Sequence, residues 1–220
     1  MDRLIIKIER RRREQVYWTE YSLDFQANKS VFWWLKKISA ELDSTLAFEC
    51  SCNSGLCGAC AVLVNNRAVL SCKELVHTAA TLTIRPLSSL PVVKDLVLDW
   101  RKIEGYLRTN NSWLFESYTP LSADYAMDAE ATALDKRLAA CISCGICVSV
   151  CPAFAQGGFE YPFVFTKGQR LMIDPNVPTD IQQQILANLA AKADTCIGCG
   201  ACDRSCPKAV NPSASILSFR

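Results

Sequence analysis

Thirteen cysteines in 220 residues constrain this chain more than any other feature. Twelve of them fall into groups with short, regular spacings. Cys52, Cys57, Cys60 and Cys72 read C-x4-C-x2-C-x11-C. Cys141, Cys144, Cys147 and Cys151, followed by Pro152, read C-x2-C-x2-C-x3-C-P. Cys196, Cys199, Cys202 and Cys206, followed by Pro207, repeat that pattern about 55 residues later, which suggests a duplicated motif. A disulfide framework would need a small secreted chain in an oxidising compartment. The start, Met1-Asp2-Arg3-Leu4-Ile5-Ile6-Lys7-Ile8, does not resemble a secretory signal, because charge interrupts its apolar stretch at once. The sequence therefore predicts a reducing cytoplasm, with the thiols serving as metal ligands.

The first group has the spacing of a [2Fe–2S] ligand set. Each iron of such a centre takes two thiolates, and a tight loop can wrap three sulfurs around it only if its backbone approaches closely. Gly55, Gly58 and Ala59 lack the bulk that would prevent this. Cys72 would supply the fourth thiolate from a neighbouring strand. Zinc is the competing ligand, since cysteines at x2 spacing also bind it, but an x4-x2 triplet in a glycine loop is unusual for zinc. Cys50 lies two residues before Cys52, and the x4 spacing leaves it as a free thiol.

The second and third groups have the two-cluster spacing in which the fourth cysteine of each motif serves the other centre. Each iron of a cubane needs one external ligand, and three closely spaced cysteines cap one face. Cys141, Cys144, Cys147 and Cys206 are thus assigned to one [4Fe–4S] cluster, and Cys196, Cys199, Cys202 and Cys151 to the other. Gly145, Gly198 and Gly200 leave room beside the sulfurs, and the proline after each fourth cysteine is expected to turn the chain out of its local helix. Three clusters use twelve cysteines, which leaves only Cys50.

The first half reads as a small β-grasp sheet. Leu4 to Ile8 and Val16 to Phe25 are strand-like. Asn28 to Ser30 opens a helix whose apolar residues Val31, Trp34, Leu35, Ile38 and Leu42 recur at helical period, and Trp33 and Trp34 are expected to pack it onto the sheet. Ala61 to Val64 and Ala68 to Ser71 form a hairpin turned by Asn65-Asn66, and Thr81 to Arg85 is a further strand. Helices are predicted over Val93 to Leu107, over Ser122 to Ala140 with Ser122 as N-cap, and over Thr179 to Ala193, with a loop from Gly157 to Pro178. The fold class is α+β, with a boundary near Gly105 separating a 1–105 domain from a helical 106–220 domain. Formal net charge is only +2, which excludes a broad nucleic-acid footprint. The one basic run, Arg10 to Arg13, is flanked by Glu9 and Glu14 and reads as a solvated hairpin end. No apolar run is long enough to span a bilayer.

The chain resembles the iron–sulfur subunit of the succinate dehydrogenase and fumarate reductase family over nearly its whole length. The matching segments are Ser51 to Cys60 (SCNSGLCGAC), Asn65-Asn66, Leu96 to Trp100, Cys141 to Pro152, and Cys206 to Pro212. The resemblance implies a plant-type ferredoxin domain followed by an all-α bacterial-ferredoxin-like domain. It also implies a wire between a flavoprotein subunit carrying FAD and a quinone or other carrier at a membrane anchor. By that resemblance the [2Fe–2S] end faces the flavin, the Cys196 group lies nearest the membrane partner, and the subunit is peripheral on the inner face of the cell membrane. Family members usually lack a cysteine at Cys199 and hold a [3Fe–4S] cluster; here Cys199 restores the fourth thiolate. A tryptophan that contacts quinone in many members falls at Gln156, and a histidine after the first cysteine of the third motif falls at Ile197, so the usual quinone pocket is altered.

No acid–base pair, nucleophile constellation or nucleotide-phosphate loop accompanies the cysteines, so no catalytic residue and no substrate site are expected on this chain. His77, the only histidine, reads as a structural residue. Two other functions fit parts of the pattern: a wire for a different flavoprotein, acting on 2-hydroxy acids or thiols, and a zinc-stapled interaction module. The N-terminal [2Fe–2S] pattern argues against the first, and two copies of the restrictive second pattern argue against the other.

Overall fold

The structure, a computed structural model, describes residues 2–12, 15–109 and 127–220. It divides into two compact units, Met1–Asp99 with Cys144–Ser149, and Trp100–Ser143 with Val150–Arg220.

In the first unit β1 (Arg3–Arg12) pairs antiparallel with β2 (Gln15–Asp24). The short β3 (Lys29–Ser30) leads into α1 (Val31–Glu41), and β4 (Ala61–Val64) turns into β5 (Arg67–Leu70). After β6 (Leu75–Val76), which pairs with β3, strand β7 (Thr81–Arg85) enters the sheet parallel to β1 and antiparallel to β4. The sheet order is β2-β1-β7-β4-β5, the mixed β-grasp arrangement expected. Successive strand side chains point to opposite faces, so Leu4, Ile6 and Ile8 of β1 share one face and are fully buried. Helix α1 lays Val31, Trp34, Leu35 and Ile38 against the same core, and Trp33 packs beside it, half-buried. Each large side chain so buried contributes roughly 1.5–3 kcal/mol. Ser30 caps the helix, its Oγ accepting from the Trp33 N–H at 3.1 Å. Asn65 (φ 48°) and Asn66 (φ 64°) are both left-handed, the two-residue turn that matches strand twist.

Two expectations fail in this unit. Arg10 is not a solvated hairpin residue: it is 3% exposed, and Asp95 beside it is 1% exposed. Its guanidinium meets Asp43 Oδ2 at 2.5 Å and Asp95 Oδ1 at 3.0 Å, and donates to Tyr21 Oη at 2.9 Å. A charge run says nothing of which strand position faces inward; here the partners come from distant sequence and fold over Arg10. Val93 to Leu107 is not one helix. It begins as β8 (Val92–Lys94) and β9 (Val97–Leu98), a hairpin whose turn uses Asp95 at φ 47°, and only then becomes α2 (Trp100–Thr109). β-branched Val92, Val93 and Val97 favour the extended chain there, and the Asp95 carboxylate fixes the turn by accepting from the Arg11 and Ala47 backbone N–H groups.

Helix α3 (Ala129–Ala139) belongs to the second unit, and its N-cap is Asp128, whose Oδ1 accepts from the Ala131 N–H at 2.7 Å. The predicted helix start at Ser122 lies outside the described residues. The one-turn α4 (Ile146–Ser149) falls in the first unit: Ser149 Oγ accepts from the Ser88 N–H at 2.9 Å, and a Cβ on Gly145 would lie 2.7 Å from Leu90 Cδ1. Pro152 does not end a helix. It opens α5 (Pro152–Ala155) at the first position, where its missing N–H costs nothing. The stretch Gly157 to Pro178 is likewise not all loop, because Pro162 starts α6 (Pro162–Ile173). Gly168 sits inside that helix because a Cβ there would meet Leu189 Cδ1 at 2.6 Å and Phe219 Cζ at 3.1 Å. Those contacts come from α7 (Thr179–Ala193) and from the chain beyond α8 (Ala201–Arg204) and α9 (Pro212–Leu217). Phe163, Phe165, Ile185, Leu189, Ile216 and Phe219 are buried in this unit. No helix among the described residues is long and apolar enough to cross a membrane.

Candidate metal centres

The first loop is shaped by its backbone. Asn53 (φ 54°), Gly55 (φ 77°) and Gly58 (φ 79°) are left-handed, which curls Cys52 to Cys60 back on itself. The curl aims three N–H groups at one sulfur: Cys52 Sγ accepts from Ser54 at 3.4 Å, Leu56 at 3.2 Å and Cys57 at 3.3 Å. Hydrogen bonds from the Ser54 side chain and then from these amides hold the Cys52 thiol down at about 5, so it favours the thiolate that iron requires. Cys60, at the entry to β4, and Cys72, just past β5, bring their sulfurs to 3.3 Å. Burial first, and then Cys60 beside it, push the Cys72 thiol up to about 12. Cationic iron would displace that proton. Cys50 also belongs to this neighbourhood. It donates to Asn53 Oδ1 at 2.9 Å, and burial together with the charges of Cys60 and Cys57 pushes it up to about 11.

The two later motifs repeat one local geometry. Ser143 (φ 52°) and Gly198 (φ 69°) are left-handed immediately before the second cysteine of each motif, and Gly145 (φ 79°) and Gly200 (φ 67°) are left-handed immediately after it. A one-turn helix follows each, α4 and α8, and carries the third cysteine, Cys147 or Cys202, in a buried position. Spacing alone cannot reveal that the serine at 143 adopts the glycine conformation of its counterpart.

The thiols near α8 influence one another electrostatically. Cys151 is raised by burial and by the charges of Cys199 and Cys196, and Cys202 is pushed up to about 12 by burial, Asp203, Cys196 and Cys151. Cys196 Sγ accepts from the Gly198 N–H at 3.4 Å. Cys206 Sγ accepts from the Val210 N–H at 3.5 Å, and the carbonyl of Cys141 accepts from Lys167 Nζ at 3.2 Å. Cys199 is exposed and Ile197, two residues before it, is 66% exposed. Among the described residues no group of three or more His, Cys, Asp or Glu is arranged for a single metal ion. The donor set fits sulfide-bridged iron: soft thiolates, several of them buried, with backbone N–H groups directed at the sulfurs. His77 takes no part in the thiol groups described; its Nδ1 lies 2.9 Å from Asn28 Oδ1.

Two domain families match. Residues 4–104 match the 2Fe-2S iron-sulfur cluster binding domain, and residues 137–210 match the 4Fe-4S dicluster domain. The chain is 32% identical to the 8-methylmenaquinol:fumarate reductase iron-sulfur subunit of Wolinella succinogenes, covering 94% of this chain and 67% of the relative. It is 28% identical to the fumarate reductase iron-sulfur subunit of Mycobacterium tuberculosis, covering 100% of this chain and 92% of the relative. Its fold is similar to a chain of the Mycobacterium smegmatis Sdh1 complex in the apo form, with a TM-score of 0.83 and 19% identity over 99% of this chain and 94% of that one.

Proposed function

This chain belongs to the family of iron–sulfur subunits of succinate dehydrogenases and fumarate reductases, and from that membership we propose how it conducts electrons in such a complex. Its N-terminal part is a 2Fe-2S ferredoxin domain of β-grasp form and its C-terminal part a helical 4Fe-4S domain. In the proposal the parts are divided as 1–105 and 106–220. One [2Fe–2S] centre is held by Cys52, Cys57, Cys60 and Cys72. Two [4Fe–4S] centres are held by Cys141, Cys144, Cys147 with Cys206, and by Cys196, Cys199, Cys202 with Cys151. When bound, these centres supply one-electron relay; the chain's own residues hold the sulfurs, exclude water from the buried ones and direct backbone dipoles at the thiolates. Electrons pass between an FAD-bearing flavoprotein partner and a quinone or other carrier on a membrane-side partner, at the inner face of the membrane.

The observation that supports this best is the loop geometry repeated in the two later motifs, left-handed at 143 and 145 and again at 198 and 200, each followed by a one-turn helix that carries a buried third cysteine. The cysteine at 199, within the full C-x2-C-x2-C-x3-C-P spacing, supports a cubane over a three-iron centre. The exposed Ile197 and Gln156 support an exit to the carrier that differs from the usual quinone pocket.

The test is anaerobic addition of succinate to the purified complex, followed by absorbance in the visible. Partial bleaching that fumarate reverses is expected. Clusters that dithionite bleaches but succinate leaves unchanged would assign the wire to a different flavoprotein.

A further inference from the structure

Two arginines grip the loop that carries Cys196 and Cys199. Arg220 donates from Nη2 to the Cys196 carbonyl at 2.5 Å, and from Nη2 and Nε to the Ala193 carbonyl at 3.1 and 3.2 Å. At the end of α7 it thereby joins the Cys196 N–H, which also donates to the Ala193 carbonyl, at 3.1 Å. Arg204, on α8, donates from Nη1 to the Cys199 carbonyl at 3.0 Å, and a Cβ on Gly200 would lie 3.1 Å from that same nitrogen. The first two cysteines of one motif are thus each tied through their own carbonyl to a guanidinium.

A guanidinium stays charged at every accessible pH. Two fixed positive charges therefore lie within the loop's own hydrogen-bond network. The acidic groups nearby balance them only in part. Asp194 reaches Arg220 at 3.9 Å but is largely exposed, while Asp203, held by the Ser213 N–H and hydroxyl, lies 3.8 Å from Cys202 Sγ and opposes the two arginines there with a single charge. A cluster that accepts an electron gains negative charge, and adjacent positive charge favours that reduced state.

We propose that Arg204 and Arg220 are positioning residues that raise the reduction potential of the third centre, offsetting the lowering expected from its fourth cysteine. This rests on the assignment of Cys151, Cys196, Cys199 and Cys202 to one [4Fe–4S] cluster. The effect is electrostatic, so it follows charge rather than side-chain shape.

The experiment is an anaerobic redox titration of the whole complex, read by low-temperature EPR, for the wild type, R204Q, R220Q, the double glutamine variant and R204K/R220K. At a fixed potential each glutamine variant is expected to lower the reduced-to-oxidised ratio of the third centre about two- to fivefold, with the double variant lower still. The other two centres stay put, and the lysine pair restores most of the ratio. A third centre at full occupancy with an unshifted potential in R204Q/R220Q would overturn the proposal while leaving the ligand assignment intact. Should the glutamine variants lose the centre, the wild type decides: its third-centre potential must fall as salt rises and screens these exposed charges. A salt-independent potential overturns the proposal. A wild type with no four-iron third centre overturns both.

Discussion

The loop of Cys52 to Cys60 and the loop of Cys196 to Cys202 present sulfur by different means. In the first, three backbone amides converge on Cys52 and the scaffold behind it is a sheet with a dense core. In the second, arginine side chains hold the loop through its carbonyls, and Ile197 and Cys199 are open to solvent. Backbone geometry is insulated from side-chain change as long as the scaffold stands. A loop held by side chains is adjustable residue by residue, and it is exposed where a partner could meet it. The first centre should therefore fail with its scaffold, and the third should respond to local substitution.

The largest effect should come from the scaffold. Arg10→Met leaves Asp95 buried without its counter-ion and removes a donor to Asp43 and Tyr21, so unfolding of the N-terminal unit should be easier by about 3–5 kcal/mol. Chemical denaturation followed by loss of [2Fe–2S] absorbance measures this. An unchanged midpoint would mean that the network carries no weight.

The comparison is sharpened in the helical unit by one substitution made in two helices. Gly168→Ala gains helix propensity but collides with Leu189 and Phe219, for a net loss of about 1 kcal/mol. Gly105→Ala in α2 meets nothing within 4 Å among the described residues and should stabilise by roughly 0.5–1 kcal/mol. Thermal melts of the two variants should move in opposite directions; shifts of the same sign would contradict the close packing of α6.

How much of this could be read beforehand depends on whether the determinant is local. The hairpin at Asn65-Asn66, the Ser30 cap and the cysteine spacings are local chemistry, and each was legible. The burial of Arg10 was not, because Asp43 and Asp95 lie far away in sequence. Helix α6 is hidden by the Gly and Pro content of its stretch, because Gly168 looks like a breaker until Leu189 and Phe219 are seen against it. Pro152 suggests an exit from a helix, and Pro162 lies in a stretch that suggests loop, yet a proline at the first helical position is a start. The arginines on the Cys196 and Cys199 carbonyls carry no spacing signal.

A smaller effect separates the sheet from the loops by pH. Hydrogen bonds from Thr45, Tyr21 and Arg10 hold the Asp43 carboxyl well below the usual range, and burial and Asp43 push Tyr21 up to about 12. A depressed carboxyl stabilises the fold above its unfolded value near 3.9 and loses that contribution as pH falls through the folded value. A raised phenol contributes fully below about 10 and loses it as pH rises toward the folded value. The N-terminal unit should thus be most stable between about pH 5 and 10, and Asp43→Asn should flatten the acid limb. A variant whose acid limb matched the wild type would remove Asp43 from the account.

The most direct test compares low-temperature EPR and iron content of the anaerobically purified complex for the wild type and C199A. The wild type should hold about ten irons in this chain and show no stoichiometric three-iron signal when oxidised. C199A should convert only the third centre to a three-iron species. A full three-iron signal in the wild type, or identical spectra for the two proteins, would contradict a four-thiolate cubane built on Cys199.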